Sequence, residues 1–279
     1  MRVATLAIVG VGLIGGSIAL AARRRRVAQR IVGVDRHQQA IDQACRNGSL
    51  DSGSADLPAA VADANLVVFC TPVDFIAAQV VEASGHCKPG TLLTDVGSTK
   101  ARLIAHIEAQ VAPEIAFVGS HPLAGSEKQG ALHADPELFA GRVVVVTPTP
   151  HTRRNALERA SAFWQALGAT VRQLSPTEHD EALALTSHLP HLLAAALAGV
   201  LPAQWQELTA GGFRDTTRLA AGSPALWSGI LRMNSGPILH ALDRFDERLR
   251  DFRSALARDD IAAIRALLEQ GKEMKDRLR

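Results

Sequence analysis

The sequence predicts an α/β domain over residues 1–175 followed by an all-helical domain over residues 176–279. Three observations predict it. Short apolar runs alternate with helix-like stretches as far as Leu174, the first run ends in a glycine-rich turn, and beyond Glu178 only helical patterning remains, rich in Ala, Leu and Arg. Alternation of the first kind builds an open sheet covered by helices, and 279 residues with 47% hydrophobic content are enough for two cores.

Val3 to Val9 reads as a buried strand that enters Gly10-Val11-Gly12-Leu13-Ile14-Gly15, and Ser17 to Ala22 then reads as helix. This is the GxGxxG pattern with a strand before it and a helix after it. Gly10 permits the tight turn, Gly12 lets the backbone approach a pyrophosphate, and Gly15 allows close helix–sheet packing; Leu13 and Ile14 open the helix whose N-terminus holds the phosphates. A second strand, Arg30 to Val34, ends in Asp35, where a carboxylate can accept hydrogen bonds from an adenosine ribose. Asp35 would repel a 2′-phosphate, so NAD is expected over NADP, although the adjacent Arg36 can turn to neutralise one. Arg23 to Arg26 lies at the far end of the first helix, so it reads as a solvated cluster complementing the helix C-terminus and not as a phosphate clamp.

Leu66 to Cys70 delivers Thr71 and Pro72 to the same sheet edge, which makes both candidates for cofactor contact. Thr91 to Asp95 delivers Ser98, which is either an N-cap for the helix at Ala101 to Val111 or a ligand-facing hydroxyl. Ile115 to Val118 is a short strand running into Gly119-Ser120-His121-Pro122, so His121 stands at a strand's C-terminal end, where open α/β sheets bind ligands. An imidazole there suits proton transfer near neutral pH; a loop histidine bonded to a neighbouring carbonyl is the ordinary alternative. Val143 to Thr147 and Thr170 to Leu174 complete the strands, with a helix from Asn155 to Leu167 between them.

Ser175-Pro176-Thr177-Glu178 reads as a helix start. His188 and His191 then fall three residues apart, with Pro190 disturbing the turn between them. No further ligands accompany this HxxH, so no metal is expected. Asp215 and Arg218 are spaced as an i,i+3 surface pair on the stretch Gly211 to Arg218, and Trp227 follows.

Thirty Lys+Arg against 28 Asp+Glu leaves a formal charge of +2, which argues against nucleic acid or a membrane surface as the main partner. Cys45, Cys70 and Cys87 are an odd number without a CxxC pair, pointing to a reducing compartment. With no charged-then-apolar leader and no apolar run of about 20 residues, a cytoplasmic protein is expected.

Six motifs now stand in order: GVGLIGGS, DVGSTK at 95–100, GSHPLAGSEKQG at 119–130, TEHD at 177–180, SHLPH at 187–191 and GGFRDTTR at 211–218. Together they resemble the prephenate and arogenate dehydrogenase family of tyrosine biosynthesis over nearly the whole chain. The resemblance implies a Rossmann domain followed by a helical domain that forms a homodimer, and oxidative decarboxylation of a cyclohexadienyl substrate with hydride transfer to NAD. It assigns His121 as the base on the 4-hydroxyl, Ser98 as the serine that orients hydroxyl and nicotinamide, and Arg218 as the grip on a substrate carboxylate. His191 matches a second substrate-side histidine, while Glu127, Asp215 and Trp227 match residues around the pocket entrance. Ser126-Glu127-Lys128 resembles the stretch of prephenate-using members, so prephenate is expected over arogenate, with a broad-specificity cyclohexadienyl dehydrogenase as the alternative. Some members carry a further C-terminal amino-acid-binding domain; this sequence ends at Arg279, so any tyrosine inhibition is expected to be competitive with substrate. A β-hydroxyacid dehydrogenase would need a lysine from its helical domain, yet none lies between Lys128 and Lys272. A catalytically silent dinucleotide-binding module is the other alternative.

Overall fold

The computed structural model describes residues 2–112, 114–125 and 130–278. Strands β1 (Val3–Val9), β2 (Ala28–Val34), β3 (Ser52–Ser54), β4 (Leu66–Phe69), β5 (Leu92–Asp95), β6 (Ala116–Pro122), β7 (Val143–Thr147) and β8 (Thr170–Gln173) form one sheet in the order β3-β2-β1-β4-β5-β6-β7-β8. Between them run helices α1 (Leu13–Arg24), α2 (Gln38–Arg46), α3 (Leu57–Val61), α4 (Val73–Ser84), α5 (Ala101–Glu108) and α6 (Arg154–Ala166). This is the expected Rossmann-like arrangement. β4, at the centre of the sheet, is apolar throughout and every residue of it is buried, because helices cover both faces. One face packs Leu6, Ile8 and Ile18 with Phe163 and Trp164, the other Val67, Phe69, Ile76 and Leu103.

β1 to β6 are all parallel, whereas β7 runs antiparallel to β6 and β8 parallel to β7. That reversal lengthens the His121 strand beyond the stretch its apolar residues predict. Gly119 to Pro122 continue it by pairing with Val144 to Thr147, and His121 lies opposite Val145. The arginines at the end of α1 are also more engaged than a solvated cluster: Arg23 pairs with Asp51 at 2.8 Å, and Arg24 and Arg25 both reach Glu137.

From Pro176 the chain is helical: α7 (Pro176–Leu183), α8 (Leu189–Gly199), α9 (Gly211–Thr217), α10 (Pro224–Met233), α11 (Ser235–Ala257) and α12 (Ile261–Arg277). The start of α7 is a full capping box, with Ser175 Oγ accepting from the Glu178 amide and the Glu178 carboxylate accepting from the Ser175 amide. A π-helical turn, Ala184–His188, joins α7 to α8. It precedes Pro190, which has no N–H to give the regular ladder. The resulting helix, Pro176–Gly199, is by length and composition alone apolar enough to cross a membrane, although Glu178, His179, Asp180 and Glu181 interrupt its apolar run. Its buried His179 and Asp180 bond to the sheet domain. α10 seats on the sheet domain too: Ile230 enters the core cluster beside α4, and Arg232 pairs with Asp74 at 2.6 Å.

Candidate active site

The glycine turn after β1 has the shape of a phosphate cradle. Gly10 sits at φ +95°, and a Cβ there would come within 2.9 Å of the Cys70 backbone; a Cβ on Gly15 would lie 2.0 Å from the Gly10 carbonyl oxygen. Above Gly12, by contrast, nothing among the described residues lies within 4 Å. Gly12 is also the N-cap of α1, so no side chain covers the helix end at Leu13 and Ile14. Open space over a bare helix N-terminus fits a pyrophosphate. Asp35, at the end of β2, accepts from the Val11 amide at 2.9 Å and the His37 amide at 2.8 Å, which fixes its carboxylate at the rim of the cradle. Arg36 turns onto His37, with Nε 3.0 Å from Nε2. Thr71 donates its hydroxyl to Gln79 at 2.5 Å, and Pro72 is the N-cap of α4.

His121 is half-buried at the C-terminal end of β6. Its Nδ1 lies 2.9 Å from Nε2 of His179 in α7, and His179 Nδ1 lies 2.8 Å from Oδ1 of Asp180. The Asp180 carboxylate accepts from the backbone N–H groups of Lys100 and Ala101, each at 2.8 Å, and so caps α5 from 80 and 79 residues away. Ser98 therefore does not serve as that cap, and among the described residues its half-buried hydroxyl makes no hydrogen bond.

Behind His121, Asp95 and Lys100 form a fully buried ion pair at 2.5 Å. Asp95 also accepts from the Ser120 amide at 3.0 Å and the Gly97 amide at 2.8 Å, tying the end of β5 to the residue before His121. Burial first, then His179, Lys100 and His188 nearby, hold the His121 imidazole well below its ordinary value. It is neutral at physiological pH and so in the form a base requires.

On the helical side, Asn234 Nδ2 donates to the Asp180 carbonyl at 2.8 Å and sits 2.9 Å from His188 Nδ1. Burial pushes His188 down to about 4. His191, at the start of α8, stacks on Trp227 of α10 with ring centroids 3.5 Å apart. Gly222 packs flat against both rings, since a Cβ there would lie 2.7 Å from each. The 3₁₀ turn Arg218–Ala221 leads into that glycine and packs against α8. Arg218 and Asp215 are exposed and form no ion pair with each other, against the i,i+3 reading of their spacing. Glu127 lies outside the described residues. Among those residues, no three His, Cys, Asp or Glu side chains are grouped to hold a metal ion.

The sequence reading missed His179, Asp180, His188, Asn234 and the Asp95–Lys100 pair as members of the site. One signal was available: Asp180, Ala184, His188 and His191 recur at the spacing of one helix face. A cavity of about 520 Å³ opens elsewhere, at the start of β6, lined among others by Ile107, Phe117, His151 and Arg153. It lies at the opposite end of that strand from His121 and belongs to no part of this site.

Two family models match the chain: the nucleotide-binding domain of prephenate dehydrogenase over residues 18–173, and the prephenate dehydrogenase dimerization domain over residues 175–270. The prephenate dehydrogenase of Bacillus subtilis is 34% identical over 285 residues, covering 98% of this chain and 76% of that protein. The cyclohexadienyl dehydrogenase of Zymomonas mobilis is 34% identical over 262 residues, covering 91% and 89%. The crystal structure of prephenate dehydrogenase from A. aeolicus, in complex with hydroxyphenyl propionate and NAD+, matches with a TM-score of 0.93 at 29% identity, over 100% of this chain and 99% of that one.

Proposed function

The chain belongs to the prephenate dehydrogenase family, and from that premise we propose that it converts prephenate to 4-hydroxyphenylpyruvate and CO2. Bound at the glycine cradle, NAD supplies the hydride acceptor. The observation that carries the reading is His121: a neutral imidazole at a strand's carboxyl end, its Nδ1 engaged and its Nε2 without a partner among the described residues. The loop that follows it reaches the cradle, with Gly125 against Ile14.

In this reading His121 removes the proton of the substrate's 4-hydroxyl as C4 gives up its hydride, and the ring carboxylate leaves as CO2 while the ring becomes aromatic. Ser98 orients the hydroxyl. Arg218 grips a substrate carboxylate, for which a planar guanidinium is suited to bidentate binding, and its exposure without an ion-pair partner among the described residues supports the role. In this reading the stacked His191 and Trp227 line the substrate side, with the exposed Asp215 at the entrance. Asp35 supports NAD over NADP, as does Arg36 turning to His37. Residues 1–175 form the dinucleotide-binding domain and 176–279 the substrate and dimerisation domain, a division supported by the last strand ending at Gln173 and the first helix of the second part starting at Pro176. A homodimer through the helical domain is supported by α12, which buries none of its residues within the protomer. The three free cysteines support a reducing, cytoplasmic setting.

Similarity to a cyclohexadienyl dehydrogenase supports a second, broader reading of the substrate. The test is kcat/KM for prephenate and arogenate with NAD and with NADP at one pH. Prephenate with NAD is expected to be the best pair. A tenfold preference for arogenate overturns the substrate, a ratio near one makes the enzyme broad in specificity, and equal use of NADP overturns the role of Asp35.

A further inference from the structure

The proton between His121 and His179 can be located from their partners. Asp180 receives three N–H groups, from Lys100, from Ala101 and from His179 Nδ1, each at 2.8 Å. A carboxylate only accepts, so His179 Nδ1 carries a hydrogen. His179 is fully buried, and burial holds its imidazole below the ordinary value, so it is neutral and its Nε2 is a bare lone pair. That lone pair faces His121 Nδ1 at 2.9 Å, so the hydrogen between the rings belongs to His121. His121 Nε2 is then unprotonated.

We propose that His179 and Asp180 are positioning residues that fix His121 as its Nδ1–H tautomer and stabilise the imidazolium formed when Nε2 takes the substrate's hydroxyl proton. The inference rests on the dehydrogenase reading and adds two residues to it, neither of which contacts substrate. As the O–H bond breaks an N–H bond forms at His121 Nε2. The positive charge on that ring is met by the His179 lone pair facing Nδ1 and by the carboxylate behind it, and no proton passes to Asp180. The need is specific to this site. Burial, with the charge of Lys100 nearby, makes His121 neutral at rest but also penalises its protonated form. The pair offsets that penalty at the step where the charge appears.

The arrangement crosses the seam between the two parts of the chain, because His121 stands on β6 while His179 and Asp180 stand on α7. Asp180 also caps α5 and its carbonyl is held by Asn234. The orientation of the base is therefore set by how the helical part seats on the sheet.

Two measurements test this. The first needs no variant: nitrogen NMR of the imidazoles in the wild type, with His121 assigned by its loss in His121→Asn, is expected to show Nδ1 protonated and Nε2 bare. A protonated Nε2 in the resting protein overturns the proposal. The second is steady-state kinetics with prephenate and NAD. His179→Leu is expected to lower kcat by about 10²-fold while KM for prephenate and Kd for NAD change less than about threefold. His179→Gln, whose amide oxygen can still accept from His121 Nδ1, is expected to recover about tenfold of that loss. A His179→Leu enzyme within threefold of wild-type kcat overturns the proposal. If the wild type turns over neither prephenate nor arogenate, the dehydrogenase reading fails, and the tautomer still stands or falls on the NMR result.

Discussion

Single residues in this site are governed by what lies behind them. Lys100 is an ammonium with no solvent contact, tolerated because Asp95 neutralises it at 2.5 Å and two amides satisfy the remaining carboxylate capacity. Removing one partner of such a pair leaves an uncompensated buried charge, at a cost of about 3–5 kcal/mol. Arg218 is the opposite case, an exposed guanidinium whose use comes only with a ligand. Arg218→Ala is expected to raise KM for substrate by about 2–3 kcal/mol in binding, with NAD affinity unchanged, as read from steady-state kinetics and a separate cofactor titration. Equal damage to both ligands would mean that Arg218 supports the fold instead. His121, His191 and Arg218 were singled out in the sequence because each sits in a compact motif. His179 and Asp180, although the TEHD motif contains them, were not, since their partners lie 58 and 80 positions away and their local pattern reads as the acidic start of a helix.

Elements follow their local pattern except where a distant partner overrides it. The strands were legible as apolar runs between turns. β3 was not: its Ser-Gly-Ser has no strand propensity and is held as an edge by pairing with Val32 to Val34. β6 outran its apolar stretch because β7 supplies an antiparallel ladder for Gly119 to Pro122. The cap of α5 was sought in Ser98, but a carboxylate from α7 takes that place. At the C-terminal end, α11 and α12 expose Leu256, Ile261 and Leu268 at 65%, 68% and 60%. An apolar face of that extent needs covering, which a second copy would provide. Leu256→Glu combined with Leu268→Glu is expected to convert a dimer to a monomer in sedimentation, with the near-UV signal of each protomer retained. A dimer unchanged by both charges would put the interface elsewhere.

At the scale of the molecule, the proposed mechanism draws the cradle, Ser98 and His121 from the sheet part and His179, Asp180, His191, Arg218 and Trp227 from the helical part. The two are locked by the α5 cap, the Arg232–Asp74 pair and Ile230 in the sheet-side core. The division into a sheet part and a helical part was legible from the loss of strand patterning after Leu174. The seam was not, because the helix-face spacing of Asp180, Ala184, His188 and His191 shows a face but not the distant segment it meets. The account turns on one reaction run by one base. Its most direct test is kcat for prephenate oxidation with NAD in wild type and in His121→Asn, with NAD affinity measured alongside. The account predicts a loss of about 10²–10⁴ in kcat with NAD affinity unchanged; a variant that keeps more than a tenth of wild-type kcat would contradict it.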